Sequence, residues 1–318
     1  MNCLISTFFK SGFYRLHQDT QIFMKAFITL VCVIVAVLPG FCQPKTDSNK
    51  KYQGPIFDVH LHSHLDSERR SADIDEFKRN KVVEAAITCS WNAQEPYRAL
   101  KSTKFLYGMI LPCPNGIVPY GGPKCFENGQ EFPDVNFVRQ QMRDSKIDFL
   151  GELLNQYYGI SMSDSIMFPY YALAQEFNIP IAIHTGLAGP DHGCPNFDPL
   201  MGDPKLLEPA LKAFPNLSVW LMHAGGPYQE GTLKIMSAYA QVYADISVIA
   251  NPEIVPMEGF APYMKALIDA GLEDRLMFGS DGGDIAKMIG QVNNLDFLTK
   301  EQKEKIFYKN AKKFFATK

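Results

Sequence analysis

From Pro55 onward the chain repeats one pattern, a short apolar run ending in polar residues or glycine, then a stretch with helical periodicity. The strand-like runs are Ile56–His62, Glu84–Ser90, Phe105–Pro112, Phe149–Leu154, Pro180–Gly186, Ser218–Ala224, Tyr243–Ile249 and Arg275–Asp281. Several are almost continuously apolar, as expected of parallel strands covered on both faces. Between them the spacing predicts helices that include Val135–Lys146, Phe168–Phe177, Lys205–Phe214, Thr232–Gln241 and Ala261–Ala270. The last segment, Lys300–Phe315, places Ile306, Phe307, Ala311, Phe314 and Phe315 on one helical face, and its lysines read as a solvated face. Eight such alternations over about 265 residues match a (β/α)8 TIM barrel, an α/β fold, with an open doubly wound sheet as the competitor. No G-x-G-x-x-G or G-x-x-x-x-G-K-[ST] follows the first strand, which weakens the nucleotide-binding version of that competitor. Residues 54–318 read as a single domain.

The N-terminal 43 residues follow a different pattern. Ala26–Leu38 is a run of 13 residues without a charge, directly after Met24-Lys25. It is too short for a membrane span, which needs about 20 apolar residues, and suits the apolar region of a signal peptide that starts at Met24. Pro39-Gly40-Phe41-Cys42 resembles a lipoprotein cleavage site, but Phe41 is bulky where a small residue is expected. Cleavage near Gln43 is therefore the expectation, with lipidation and an uncleaved anchor as alternatives. Residues 44–53 are polar and read as a linker. The protein is then exported, periplasmic or secreted, and touches a membrane only through an uncleaved or lipidated leader.

Composition narrows the function. The chain of 318 residues is 46% hydrophobic and 20% charged, ordinary globular material with a net charge of -3. Loss of Lys10, Arg15, Lys25 and Asp19 with the leader leaves 28 of the 31 basic and 33 of the 34 acidic side chains, a net charge of -5. A nucleic-acid partner, which wants a basic face, gains no support from that balance. A small-molecule substrate fits better, and homo-oligomerisation is left open. Four of the seven cysteines, Cys89, Cys113, Cys125 and Cys194, follow the leader. Cys113 and Cys125 flank a Pro/Gly-rich loop, so they either form a loop-closing disulfide or remain free thiols; no spacing suggests a cysteine-based zinc site.

The histidines fall where a barrel does its chemistry. In Asp58-Val59-His60-Leu61-His62-Ser63-His64, residues two apart share a strand face, so His60 and His62 point together into the barrel mouth. Such a pair is a ready seat for a divalent metal. His64 continues the period beyond the strand, as a supporting, substrate-facing or solvated residue. His184 and His223 each close an apolar run and precede glycine, at the carboxyl ends of the fifth and sixth strands. Barrel active sites are built at that end. Asp281 ends the eighth apolar run and Glu152 lies in the fourth; both carboxylates need a cation or donors to offset desolvation. For Glu152 an arginine such as Arg139 or Arg143 is the competing partner. Trp91, Asn92, Tyr157, Tyr158, Asp191 and His192 lie just past strand ends and are candidates for substrate contact.

These residues, His60-Leu-His62 on strand one, His184 on five, His223-Ala-Gly-Gly on six and Phe-Gly-Ser-Asp281 on eight, resemble the amidohydrolase superfamily, in its amidohydrolase-related branch. The resemblance spans about residues 55–318. It implies a metal-dependent barrel enzyme in which His60, His62, His184 and Asp281 hold the metal, zinc first, with manganese or iron as alternatives and one or two ions. His223 is then a ligand of a second metal or a group that polarises the substrate carbonyl. Two positions depart from the pattern. Strand four carries Glu152 where a carbamylated lysine bridges metals in other members, so Glu152 either bridges or binds none. Gly282-Gly283-Asp284 replaces the Tyr/Trp-Pro pair that often follows Gly-Ser-Asp, which alters the substrate-contacting loop.

The implied chemistry follows from the ligands. A divalent metal lowers the pKa of the water it binds from 15.7 to about 7, and Asp281 beside it serves as general base and then acid. The expectation is an exported hydrolase of an amide, ester or lactone, a C–N or C–O bond. The alternative is a decarboxylase of an aromatic or unsaturated acid, for which the strand ends offer no arginine clamp. A non-catalytic binding barrel ranks last, because it needs no base beside the water.

Overall fold

In the computed structural model the described residues are 51–316, apart from Cys89, Tyr120, Gly121 and Ala188. The leader, its cleavage site and most of the linker lie outside them. Eight parallel strands run in sequence order round a nearly closed barrel: β1 Ile56–His62, β2 Val82–Thr88, β3 Lys104–Leu111, β4 Phe149–Leu153, β5 Ile181–His184, β6 Val219–Met222, β7 Val242–Asp245 and β8 Leu276–Met277. Each pairs with the next; Ile181 to His184, for example, lie opposite Val219 to Met222. The sequence expectation of a (β/α)8 barrel is therefore met, and no described helix is long and apolar enough to cross a membrane.

Strands β4 to β8 are shorter than their apolar runs, most of all β8. Its continuation is diverted: the Phe278 N–H donates to the Ile306 carbonyl at 2.9 Å, while the Phe278 carbonyl accepts from Val59 N–H at 2.9 Å. Ile306 lies in a π-helical turn, Lys305–Lys309, between Lys300–Glu304 and Asn310–Ala316, and such a turn frees a carbonyl for an outside donor. The expected helix Lys300–Phe315 thus contains a bulge that binds it to the closing seam of the barrel. The expected helix Lys205–Phe214 is two pieces, a 3₁₀ turn Pro204–Leu207 and an α-helix Glu208–Ala213, since Pro209 has no N–H to continue one ladder through the join.

An aromatic plug fills the barrel beneath the site. Phe315 packs on Phe57 of β1, Phe149 of β4 and Trp220 of β6, with ring centroids 5.4, 6.4 and 5.7 Å apart. Phe314 covers Tyr243 of β7 at 4.7 Å. Rings from strands spread round the barrel meet the C-terminal helix only if that helix seals the axis. Side chains of this size contribute about 3–5 kcal/mol each when buried, judged from truncation to alanine. The plug leaves the opposite, carboxyl end for polar residues.

Candidate metal centre

Strand β1 places His60 and His62 on one face. His60 is fully buried on the floor of the site and His62 is partly exposed above it, with ring centroids 5.3 Å apart. His184 is the last residue of β5. His223 follows β6 and Asp281 follows β8, both in left-handed backbone (φ 63° and 48°). That conformation costs a residue other than glycine about 1 kcal/mol or more and persists only where the surroundings enforce it. At His223 they do. Thr185 Oγ1 accepts from Gly225 N–H at 3.0 Å, and the Ala224 carbonyl accepts from both Thr232 and Tyr263 hydroxyls at 2.7 Å. At Asp281 the N–H donates to the His60 carbonyl at 2.8 Å and Ser280 N–H to Asp58 Oδ1 at 2.9 Å. Gly279 is required there, because a Cβ would lie 2.7 Å from the His60 Cβ.

The ligand atoms converge. His62 Nε2 lies 2.9 Å from Asp281 Oδ1, with His60 Nε2 at 3.5 Å from the same oxygen. Glu152 Oε1 contacts His184 Nδ1 closely, and its Oε2 lies 3.7 Å from His62 Nε2. His223 Nε2 is 3.3 Å from His184 Nδ1 and 3.8 Å from Glu152 Oε1. Two sets, His60/His62/Asp281 and Glu152/His184/His223, each bring their ligand atoms within 4.8 Å of one another. Arg139, the sequence alternative for Glu152, pairs instead with Glu176.

The electrostatics call for a cation. Burial alone would raise the Asp281 carboxyl, but the His60 charge and a hydrogen bond from His62 outweigh it and hold the group down to about 2. Glu152 is likewise pushed up by burial and pulled well below the usual carboxylate range by His184. Burial would lower His60, yet Asp281 and then Asp245 raise it to about 10, so the ring takes a proton to balance the acids. A divalent ion can replace that proton. Nε2 of His60 and Nε2 of His184 are buried without a hydrogen-bond partner, which is what a ligand nitrogen looks like when it is poised for a metal. Imidazoles and carboxylates without a thiolate fit zinc, manganese or iron.

Strand β7 adds a residue that the sequence reading missed. Asp245, fully buried, lies with Oδ2 3.2 Å from His60 Nδ1 and accepts Trp220 Nε1–H at 2.7 Å. An acid inside the apolar run Tyr243–Ile249, which must be buried with it, was the available signal.

A cavity of about 1000 Å³ opens above the centre, lined by His62, Glu152, His184, His223 and Asp281 and walled further out by Tyr157 and His192. Tyr157 packs edge-on to His184 at 5.5 Å and against His192 at 5.8 Å. His64 also faces the cavity, with Nδ1 2.9 Å from Asp73 Oδ2. Trp91 is not among the residues that line this cavity: it packs edge-on against Phe137 at 5.4 Å, and its neighbour Ser90 faces the cavity. Tyr158 donates to Glu131 and Asp191 accepts from Gly193 N–H, so neither lines the cavity; the Asn92 side chain lies outside the described set. Arg69, on the helix Ser67–Asn80, reaches the cavity wall, so an arginine is present although no strand end supplies it.

Comparison with known proteins places this geometry in context. A family model described as amidohydrolase matches residues 139–317, more than half of the chain. No curated protein matches the sequence significantly. Among solved structures, the chain is similar to a probable 2-pyrone-4,6-dicarboxylic acid hydrolase from Acinetobacter baumannii with citric acid bound. The two share 12% identity with a TM-score of 0.55, over 83% of this chain and 100% of that one. It is also similar to 2,6-dihydroxybenzoate decarboxylase from Rhizobium, at 10% identity and TM-score 0.56 over 84% and 99% of the chains. A third is 5-carboxyvanillate decarboxylase from Novosphingobium aromaticivorans, complexed with manganese and 4-hydroxy-3-methoxy-5-nitrobenzoic acid. There the identity is 13% and the TM-score 0.53, over 84% and 99%.

Proposed function

The chain belongs to the amidohydrolase family of metal-dependent enzymes, and from that premise we propose that it hydrolyses an amide, ester or lactone bond of a small molecule. The observation that carries the reading is Asp281 beside His62 at the cavity floor, next to imidazole nitrogens that lack partners. His60, His62, His184 and Asp281 would hold a divalent cation, which would supply the Lewis acidity that makes water nucleophilic near neutral pH. Asp281, ionised and partly open to the cavity, accepts the proton of that water and returns it to the leaving group. Glu152 keeps the His184 ring in place through its Nδ1. Tyr157 and His192 shape the wall against which the substrate body rests. What His223 does turns on which of its nitrogens carries the hydrogen.

The charge of the cavity supports hydrolysis of a neutral bond over decarboxylation. Beyond the candidate ligands of the centre, its lining includes Asp66, Asp73 and Glu76 against one guanidinium, Arg69. A carboxylate substrate would meet mainly like charge there. Decarboxylation is the second reading, and Arg69 is what favours it, since it stands at the cavity edge as a clamp for an acid. The test is metal analysis of the purified protein together with a panel of lactones, esters, amides and aromatic acids. Hydrolysis of a neutral substrate is the expected result. Release of CO₂ from an acid, lost in Arg69→Ala, would overturn it.

We further propose export. The Cys113–Cys125 disulfide, between two fully buried sulfurs, suits an oxidising compartment, and Ala26–Leu38 has the length of a signal-peptide core. A mature N-terminus near Gln43 on protein recovered outside the cytoplasm is the expected finding; recovery of the full chain from the cytoplasm alone would refute it.

A further inference from the structure

Asp245 touches both halves of the centre, and its hydrogen bonds settle a question that ligand distances leave open. Oδ1 accepts from His223 N–H at 3.0 Å, from Ser247 N–H at 3.0 Å and from the Ser247 hydroxyl at 2.6 Å. Oδ2 accepts from Trp220 Nε1–H at 2.7 Å and faces His60 Nδ1 at 3.2 Å. A carboxylate has about four lone-pair sites, so these donors use them up and leave none for a metal. Asp245 is therefore a support and not a ligand, although its oxygens lie within 4.8 Å of ligand atoms of His60 and His223.

The direction of each bond follows from chemistry. The Ser247 hydroxyl has one hydrogen, and a separation of 2.6 Å from a carboxylate oxygen requires that hydrogen to lie between them. What Ser247 Oγ turns toward His223 Nδ1, 2.8 Å away, is then a lone pair. Two lone pairs at that distance repel, so His223 Nδ1 must carry a hydrogen. His60 Nδ1 faces only acceptors, Asp245 Oδ2 and, at 3.3 Å, Ser247 Oγ, so it too is protonated. In its neutral form each ring then has its lone pair on Nε2. His60 Nε2 is directed to Asp281 and His223 Nε2 to His184 and Glu152.

We propose that Asp245 is a positioning residue which, directly for His60 and through Ser247 for His223, fixes the ring hydrogen on Nδ1 and so presents the Nε2 lone pair of both histidines to the centre. The inference rests on the reading of this centre as a metal site. It also selects between the two roles open to His223, because a neutral ring with its hydrogen on Nδ1 offers a ligand nitrogen at Nε2 and no hydrogen bond for a substrate carbonyl. Trp220 ties the device to the aromatic plug below it.

The test uses the metal-stripped protein and two readouts: nitrogen NMR of the imidazole rings, and calorimetric titration with zinc or manganese ion. In the wild type, His223 is expected as the Nδ1–H form. Ser247→Ala removes the acceptor and should release His223 to a mixture of tautomers, whereas Ser247→Thr, which keeps the hydroxyl, should restore it. Ser247→Ala and Asp245→Asn should each weaken metal binding by about 10- to 100-fold, as loss of such supports does elsewhere. If Asp245→Asn does not fold, Ser247→Ala decides alone. An unchanged His223 tautomer together with unchanged affinity in the folded Ser247→Ala protein would overturn the proposal. A His184→Ala protein that binds metal as tightly as the wild type would instead defeat the metal-site reading, which separates the two failures.

Discussion

His62 Nε2 and Asp281 Oδ1 lie 2.9 Å apart, and their contact joins the strand that opens the barrel to the loop that closes it. In the proposed mechanism the two residues share one site: the imidazole holds the metal, and the carboxylate holds it and moves a proton. Asp281→Asn keeps an oxygen ligand but loses the base. It is expected to retain bound metal while kcat falls by about 10²- to 10⁴-fold, the usual worth of general base catalysis. Metal content and kcat measured on the same preparation check this. Loss of metal in step with activity would assign Asp281 to ligation alone.

Removal of the metal should act on stability as well as turnover. Glu152 and Asp245, both buried, and Asp281, partly open to the cavity, are held ionised by the histidines around them, and a divalent ion adds attraction that the unfolded chain cannot match. Dialysis against a chelator is expected to abolish turnover and lower the melting temperature, and refilling should restore both. At a free ion concentration of about 1,000 times Kd the stabilisation is about 4 kcal/mol. A melting temperature that does not respond to added zinc or manganese would count against the centre.

Asp58 gives a pH signature below the centre. Its Oδ1 accepts from His60 N–H at 3.1 Å and Ser280 N–H at 2.9 Å, while Oδ2 is buried without a donor. Burial is the leading influence and pushes the carboxyl from 3.8 up to about 6 against those bonds. The folded state therefore binds more protons than the unfolded state between pH 4 and 6, and stability falls as pH rises through that window. The full difference is about 3 kcal/mol. Asp281 and Glu152, both depressed, act the other way: their stabilisation is present above the ordinary carboxylate range and is lost as the solution is acidified below it. Asp58→Asn keeps the carbonyl acceptor and cannot ionise. Calorimetry of the metal-free variant should show the decline between pH 4 and 6 flattened and the acid limb unchanged. An unaltered profile would show that Asp58 does not titrate there.

The candidate ligands were legible because most of them stand at or near the end of an apolar run. His60 and His62 follow the period of two on β1, and His184 and His223 stand where hydrophobic runs give way to glycine. Asp245 was hidden because the apolar pattern continues past it through Ile246, Val248 and Ile249. The strand nevertheless stops at Asp245, since Ser247 bends back to the carboxylate with both its N–H and its hydroxyl. That is a side chain competing with the ladder for the backbone, and hydropathy does not register it. Arg69 was missed for a related reason. It enters the cavity from a helix, three residues after the cap Asp66, and only the packing of that helix against β2 reveals it. The shortened β8 has a distant cause, the Ile306 carbonyl that takes the Phe278 N–H.

The disulfide governs one wall of the cavity and none of the ligands. Cys113 and Cys125 close a segment whose Val118 and Pro123 line the cavity. Backbone bonds add to the clamp: Cys125 N–H donates to the Gly116 carbonyl at 3.0 Å and Trp91 N–H to the Cys125 carbonyl at 3.1 Å. The candidate ligands come from β1, β4, β5 and the turns after β6 and β8, so loosening this segment changes the shape of the wall while the centre stays assembled. In Cys113→Ser/Cys125→Ser the entropy of an opened loop of this size costs about 3 kcal/mol, a fall in melting temperature on the order of 5 °C. Substrate should then be held less well, with KM raised and kcat nearly kept, and metal affinity should match the wild type. Reduction of the wild-type disulfide is expected to move KM in the same direction. If kcat drops and KM holds, the segment acts on the chemistry itself, and the separation of wall from centre fails.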